Sequence, residues 1–161
     1  MFFDKPLTED QFFRVWWAAF GWVLFVIVLS VIYRLRKGKP ILRPKFLNVR
    51  FSETWRSGSS HRNLLTRLGG ARNCLWITVT DKEILVGPHF PFNLMFLPEI
   101  YGLEYRIKGP DVLSVEELSS FLLGKRVCVQ FRSPERGDET FEVAVKDVNG
   151  FRKAIDGIRN I

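Results

Sequence analysis

"NCLWITVTDKEILVGP", Asn73–Pro88, decides how the rest of this 161-residue chain is read. Leu75, Ile77 and Val79 alternate with Trp76, Thr78 and Thr80, the period of a strand with one apolar face. "DKE" turns the chain and "ILVGP" returns it, so the stretch predicts an antiparallel hairpin. The pattern recurs downstream. "KRVCVQF" sets Val127, Val129 and Phe131 on one side, with Cys128 and Gln130 opposite. "SPERGDE" supplies a turn, and "TFEVAV" returns with Phe141, Val143 and Val145 in register. Upstream, "KFLNVRFSETW" alternates loosely around Phe46, Val49, Phe51 and Trp55. In "GFRKAIDGIRNI", Phe151, Ile155 and Ile158 fall at i, i+4 and i+7, and Asp147 or Asn149 is placed to cap the helix they predict. The expectation is a mainly antiparallel β-domain over residues 45–146, closed by a helix near 148–158.

Three segments are less regular. "SVEELSSFLLGK" reads as a helix, with Ser114 and Glu117 as a capping box and Gly124 as its stop, or as the continuation of a strand, "VLSVEEL". "SGSSHRNLLTRLGGARN" is a long interval between the first two strands, with a helical turn suggested at "HRNLLTRL". "HFPFNLMFLPEIYGLEY" is a second long insert, rich in Phe and Pro. If Phe90, Phe92, Leu94, Met95, Phe96 and Leu97 are buried they are core; if exposed they form a patch suited to a partner or a membrane interface.

The N-terminal region is of another kind. "VWWAAFGWVLFVIVLSVIY", Val15–Tyr33, holds no charged residue. Its length as a helix is about 28 Å, close to the ~30 Å hydrocarbon core of a bilayer. Trp16, Trp17 and Trp22 toward one end and Tyr33 at the other suit the headgroup levels. Thr8 and Gln11 form a capping-box pattern, so the helix is expected to begin before the span. An acidic start and the sequel "YRLRKGKP" argue against a cleaved leader.

Charge is distributed unevenly around this segment. Residues 1–33 carry a net −1, residues 34–73 a net +10 and residues 74–161 a net −2. Basic residues flanking a span are retained on the cytoplasmic side, so the expected topology is N-terminus outside, C-terminal domain inside, at the cell's inner membrane. The organisation that follows is a short external stretch over 1–14, a transmembrane helix over 15–33, a basic juxtamembrane linker over 34–45 and a cytoplasmic domain over 46–161.

Catalytic chemistry finds no support. His61 and His89 are far apart with no carboxylate at ligand spacing, "SGSSH" lacks a nucleophile elbow, and "RLGGARN" lacks the spacing of a phosphate loop. Cys74 and Cys128 fall in or beside strand-like runs without a C-x-x-C, so both read as free, buried thiols. No enzyme activity, cofactor or metal is expected.

Several antiparallel strands followed by one amphipathic helix is an order that resembles the pleckstrin-homology (PH) superfold, in its bacterial PH-like and GRAM-like forms. "WITVTDKEILVGP", "VLSVEE", "GKRVCVQF" and "TFEVAVKDVNGFRKAI" carry the resemblance, over roughly residues 45–160. It implies a PH-like β-barrel or sandwich, a strand rather than a helix from Val112, and a non-enzymatic binding module beside a membrane helix. Such a module would recruit a protein partner or contact anionic lipid; the alternative is an accessory subunit of a larger membrane complex. In lipid-binding members basic residues after the first strand grip phosphorylated headgroups, which points here to Arg56, Arg62, Arg67 and Arg72. Arginine suits phosphate because its planar fork donates parallel hydrogen bonds. Phe90, Phe92, Met95 and Phe96 are the candidates for a protein partner, and Trp16, Trp17, Tyr33, Arg34, Arg36 and Lys37 for the membrane interface. A net +10 stretch also suits nucleic acid, but beside a bilayer the nearer anion is lipid.

Overall fold

The computed structural model describes residues 8–61, 70–94, 101–120, 124–134 and 136–159. The chain divides into two compact units, Met1–Ile41 and Leu42–Ile161.

The first unit is built on one helix, α1 (Glu9–Arg36), of 28 residues. It starts where the capping pattern places it, with the Thr8 amide donating to Gln11 Oε1 at 3.2 Å. Glu9 and Asp10 lie in its first turn and Arg34 and Arg36 in its last, each sign opposite to the adjacent helix pole. The helix is long and apolar enough to cross a membrane, with a mean hydropathy of 2.4 over its most apolar window.

The second unit is a seven-stranded antiparallel sheet and a C-terminal helix. The strands are β1 (Val49–Ser60), β2 (Ala71–Thr80), β3 (Glu83–Pro88), β4 (Tyr105–Lys108), β5 (Val112–Ser120), β6 (Gly124–Ser133) and β7 (Gly137–Ala144), and the helix is α2 (Val148–Arg159). Their order is β4-β3-β2-β1-β7-β6-β5. The expected hairpins stand, β2 with β3 and β6 with β7. Val112 begins a strand, so the fold's need for β5 prevails over the local capping box at Ser114. The interval after "SETW" is shorter than it reads, because β1 runs on to Ser60 and β2 resumes at Ala71. The helical turn suggested at "HRNLLTRL" falls, apart from His61, outside the described residues.

β1 makes this topology work. Its length from Val49 to Gly58 pairs with β2, while Ser57–Ser60 pair with Phe141–Ala144 of β7. At Gly58 it pairs with both neighbours, and a Cβ there would sit 2.8 Å from the Glu142 carbonyl and 2.9 Å from Leu75 Cδ1. Only glycine fits that crossing. Seen in order, β4 is far from β6 and β7, yet the Tyr105 ring lies 5.5 Å from Phe131 and stacks at 5.0 Å on Phe141. The sheet is therefore rolled over a single core.

That core is the apolar face the alternation predicts. Ile77, Val79, Val127, Val129 and Val143 are fully enclosed, and α2 seals the opening with Phe151, Ile155 and Ile158. Phe51 of β1 meets Phe151 at 5.2 Å. Each such side chain contributes about 1.5–3 kcal/mol on burial. The whole cluster lies between Ala71 and Ile158, so the second unit carries its own core. Asp147 is the cap of α2, accepting from the Gly150 amide at 2.8 Å.

One carboxylate joins the first strand to the last helix. Glu53 Oε1 accepts from the Asp147 amide at 3.0 Å and Glu53 Oε2 from the Lys146 amide at 2.9 Å, and Arg56 Nε forms an ion pair with Oε2 at 2.7 Å. Its side chain is only 12% exposed. Replacing Glu53 by Ala is predicted to destabilise residues 42–161 by about 2 kcal/mol in urea unfolding, because two backbone amides and Arg56 lose a charged acceptor. Asp138→Ala, which breaks the solvent-exposed pair with Arg132, is expected to change stability little.

Candidate functional site

Of the four arginines expected to face lipid, Arg56 and Arg72 lie among the described residues. Arg56 forms an ion pair with Glu53, and its side chain is 18% exposed. Arg72, near the start of β2, is exposed. Arg62 and Arg67 lie outside the described residues, as do Met95 and Phe96.

Arg72 lines a pocket of about 400 Å³. Its other walls include Ala71, Cys74 and Leu103, all buried, and Tyr101 and Phe92. Two candidates from separate parts of the sequence, Arg72 and Phe92, thus share one apolar cavity with a cation on its lining. The Phe-rich insert divides: Phe90 and Phe92 are 53% and 36% exposed, whereas Asn93 and Leu94 are buried.

The other face of the β1–β2–β3 sheet is covered, and alternation alone did not predict this. Trp76, Thr78 and Leu85 point away from the core cluster yet are 8%, 0% and 7% exposed. Part of the cover is the linker. Arg43 lies 5.5 Å over the Trp76 ring and donates to Ser52 Oγ at 2.7 Å and Thr78 Oγ1 at 2.8 Å. Phe46, expected in the first strand, packs on Trp76 at 5.6 Å, because Asn48 breaks the extended chain at φ +55°. Gly87, opposite Trp76 across the ladder, leaves room for the indole; a Cβ there would meet the ring at 2.7 Å. The indole Nε1 donates to the Pro88 carbonyl at 3.2 Å.

Beside this cover Trp55 stacks on His89, ring centres 4.5 Å apart and nearly parallel at 12°. Trp55 is 56% exposed. His89 is half-buried, and its amide donates to the Cys74 carbonyl at 2.7 Å, which closes the end of the β2–β3 hairpin. Burial, then the charge of Arg43, lowers the His89 pKa from its ordinary value.

Elsewhere His61 Nε2 approaches Glu142 Oε1 at 2.8 Å, and Arg126 takes the second oxygen at 3.4 Å. These partners are far from one another in sequence, so spacing did not show them. Cys74 and Cys128 are free and buried, and burial raises both thiol pKa values, which keeps them protonated and unreactive. Among the described residues no cluster of three or more His, Cys, Asp or Glu is arranged to hold a metal.

On α1, Trp16, Trp17 and Tyr33 are exposed, and Trp16 stacks on Phe20 at 5.7 Å. Arg36 and Lys37 are exposed too. Arg34 is not: it is 2% exposed, and its guanidinium turns onto the Pro40 carbonyl at 2.9 Å.

No protein-family profile matches this chain, and no curated protein matches it. Among solved structures it is similar to the Vps36 N-terminal PH domain, at 17% identity and a TM-score of 0.42, over 76% of this chain and 83% of that one. The strands and their register, not that likeness, define the fold.

Because folding lowers the His89 pKa, the unfolded chain takes up a proton at higher pH than the folded one. Stability should be intact above the ordinary value of 6.5 and fall as pH drops below it toward the folded value. Thermal unfolding between about pH 7.5 and about pH 5.5 checks this, with His89→Gln expected to flatten that part of the curve.

Proposed function

We propose that this chain is a single-pass membrane protein whose second unit is a non-enzymatic, PH-like binding module of the bacterial PH-like and GRAM-like kind. The module works at the cytoplasmic face of the inner membrane and contacts anionic lipid there; recruitment of a protein partner is the other use of the same surface. The observation that carries this reading is the placement of charge. A helix fit to span a bilayer is followed at once by residues 34–73 with net +10, while the rest of the domain is close to neutral. Arg72 adds an exposed guanidinium beside an apolar cavity, a pairing suited to a ligand with an anionic head and an apolar body. Each basic residue near an anionic leaflet gains about 1 kcal/mol. Because α1 ends at Arg36 and the second unit begins at Leu42, tethering raises the effective concentration of the module at any surface that α1 occupies.

Residues 42–161 should sediment with anionic vesicles but not neutral ones, and release them as salt rises. Arg72→Gln should weaken that binding by about fivefold, the factor that ~1 kcal/mol represents. Equal binding to neutral vesicles, or none to either at low salt, would remove the lipid reading. Orientation has its own test: a reporter fused after Ile161 should be active only if it is of the cytoplasmic type. Activity of an export-dependent reporter at that position would reverse the topology.

A further inference from the structure

Trp55 occupies a conformation that a tryptophan does not choose. Its φ is +58° in the middle of a strand, in the left-handed region where bulky side chains are strained by about 1–3 kcal/mol and glycine is not. The cause is a bulge: the β1–β2 register shifts between the Glu53–Ile77 and Arg56–Leu75 pairs, and Trp55 falls in the shift. Little burial offsets that strain. Trp55 is outside the core cluster and 56% exposed, and its ring stacks on His89. Phe51, four residues earlier on the same strand, is by contrast packed against the core and meets Phe151.

Other exposed aromatic surface lies close by in the chain. Phe90 follows His89 and is 53% exposed, and Phe92 is 36% exposed on the pocket that Arg72 lines. Positive charge is near as well, since the exposed Arg72 lines that same pocket. Tryptophan, with phenylalanine beside it and arginine at hand, is the composition that partitions to the headgroup layer of an anionic bilayer.

We propose that the bulge in β1 exists to present Trp55, together with Phe90, as a docking wedge that enters the headgroup layer of an anionic membrane. This rests on the lipid reading above and adds to it a second, apolar contact distinct from the arginines. The occupant is lipid rather than protein because the basic excess lies in the same segment, residues 34–73, that carries Trp55.

Residues 42–161 contain two tryptophans, Trp55 and Trp76, and Trp76 is 8% exposed against 56% for Trp55. Anionic vesicles with brominated acyl chains should therefore quench Trp55 fluorescence on binding. Trp55→Gly should abolish the quenching, weaken vesicle binding by about tenfold, and raise the unfolding midpoint, because glycine relieves the left-handed backbone. Phe90→Ser, which leaves β1 untouched, should weaken binding without lowering the midpoint. If the domain binds anionic vesicles while Trp55 stays unquenched and Trp55→Gly binds as tightly as the parent, the wedge is wrong and the arginine contact stands. A lowered midpoint in Trp55→Gly also overturns the proposal, since Trp55 would then be structural. No binding of the parent domain to anionic vesicles at low salt removes both the lipid reading and the wedge.

Discussion

Everything in the β-domain depends on one strand being shared. β1 offers most of its length to β2 and its last four residues to β7, and the exchange is confined to a glycine whose missing Cβ is the space the two neighbours use. Without that crossing the two hairpin systems would be separate small sheets, each with an apolar face open to water. With it, the sheet rolls until Tyr105 reaches Phe141, and α2 has a single opening to close. Glu53 acts at the other end of the same strand, where its carboxylate joins β1 to the amides that lead into α2. It is the lone acidic residue among residues 34–73, which explains why a strongly basic segment keeps one negative charge.

β2 illustrates how a strand can be enclosed on both faces in so small a domain. One face carries Leu75, Ile77 and Val79 into the core. The other meets a linker whose arginine is held by two hydroxyls and an indole. A positive charge in such a site loses hydration, and burial lowers the Arg43 pKa accordingly. Two hydrogen bonds and an aromatic face replace part of the lost water. The segment around Arg43 is therefore part of the second folded unit and more than a spacer.

What could be read in the sequence was whatever recurs at short range. The alternation in Leu75–Val79 and Phe141–Val145 named the core face, the spacing of Phe151, Ile155 and Ile158 named the helix face, and Thr8 with Gln11 named the start of α1. β4 was hidden because four residues, Tyr105–Lys108, are too few for a period to show inside an irregular insert. The cover over Trp76 and Thr78 was hidden because alternation reports which residues share a face and says nothing of what lies on it. Of the candidate site, Arg72 and Phe92 were chosen separately and meet on one cavity. Arg56 meets Glu53, whose carboxylate is fixed in place by a junction far along the chain. Trp55 looked like one more alternating aromatic, and only the register shift shows that it leaves the ladder.

The shared strand also bears on the order of synthesis. A chain is made from its N-terminus, so β1 and Glu53 exist well before the Lys146 amide that Glu53 binds, 93 residues later. Hairpins close in microseconds, but pairing over such a distance waits for the rest of the chain and is intrinsically slow. During that interval the last four residues of β1 present an unpaired edge, and unpaired edges are where chains associate wrongly. β1 is thus translated early and completed late, and a product cut short before β7 would carry that open edge permanently.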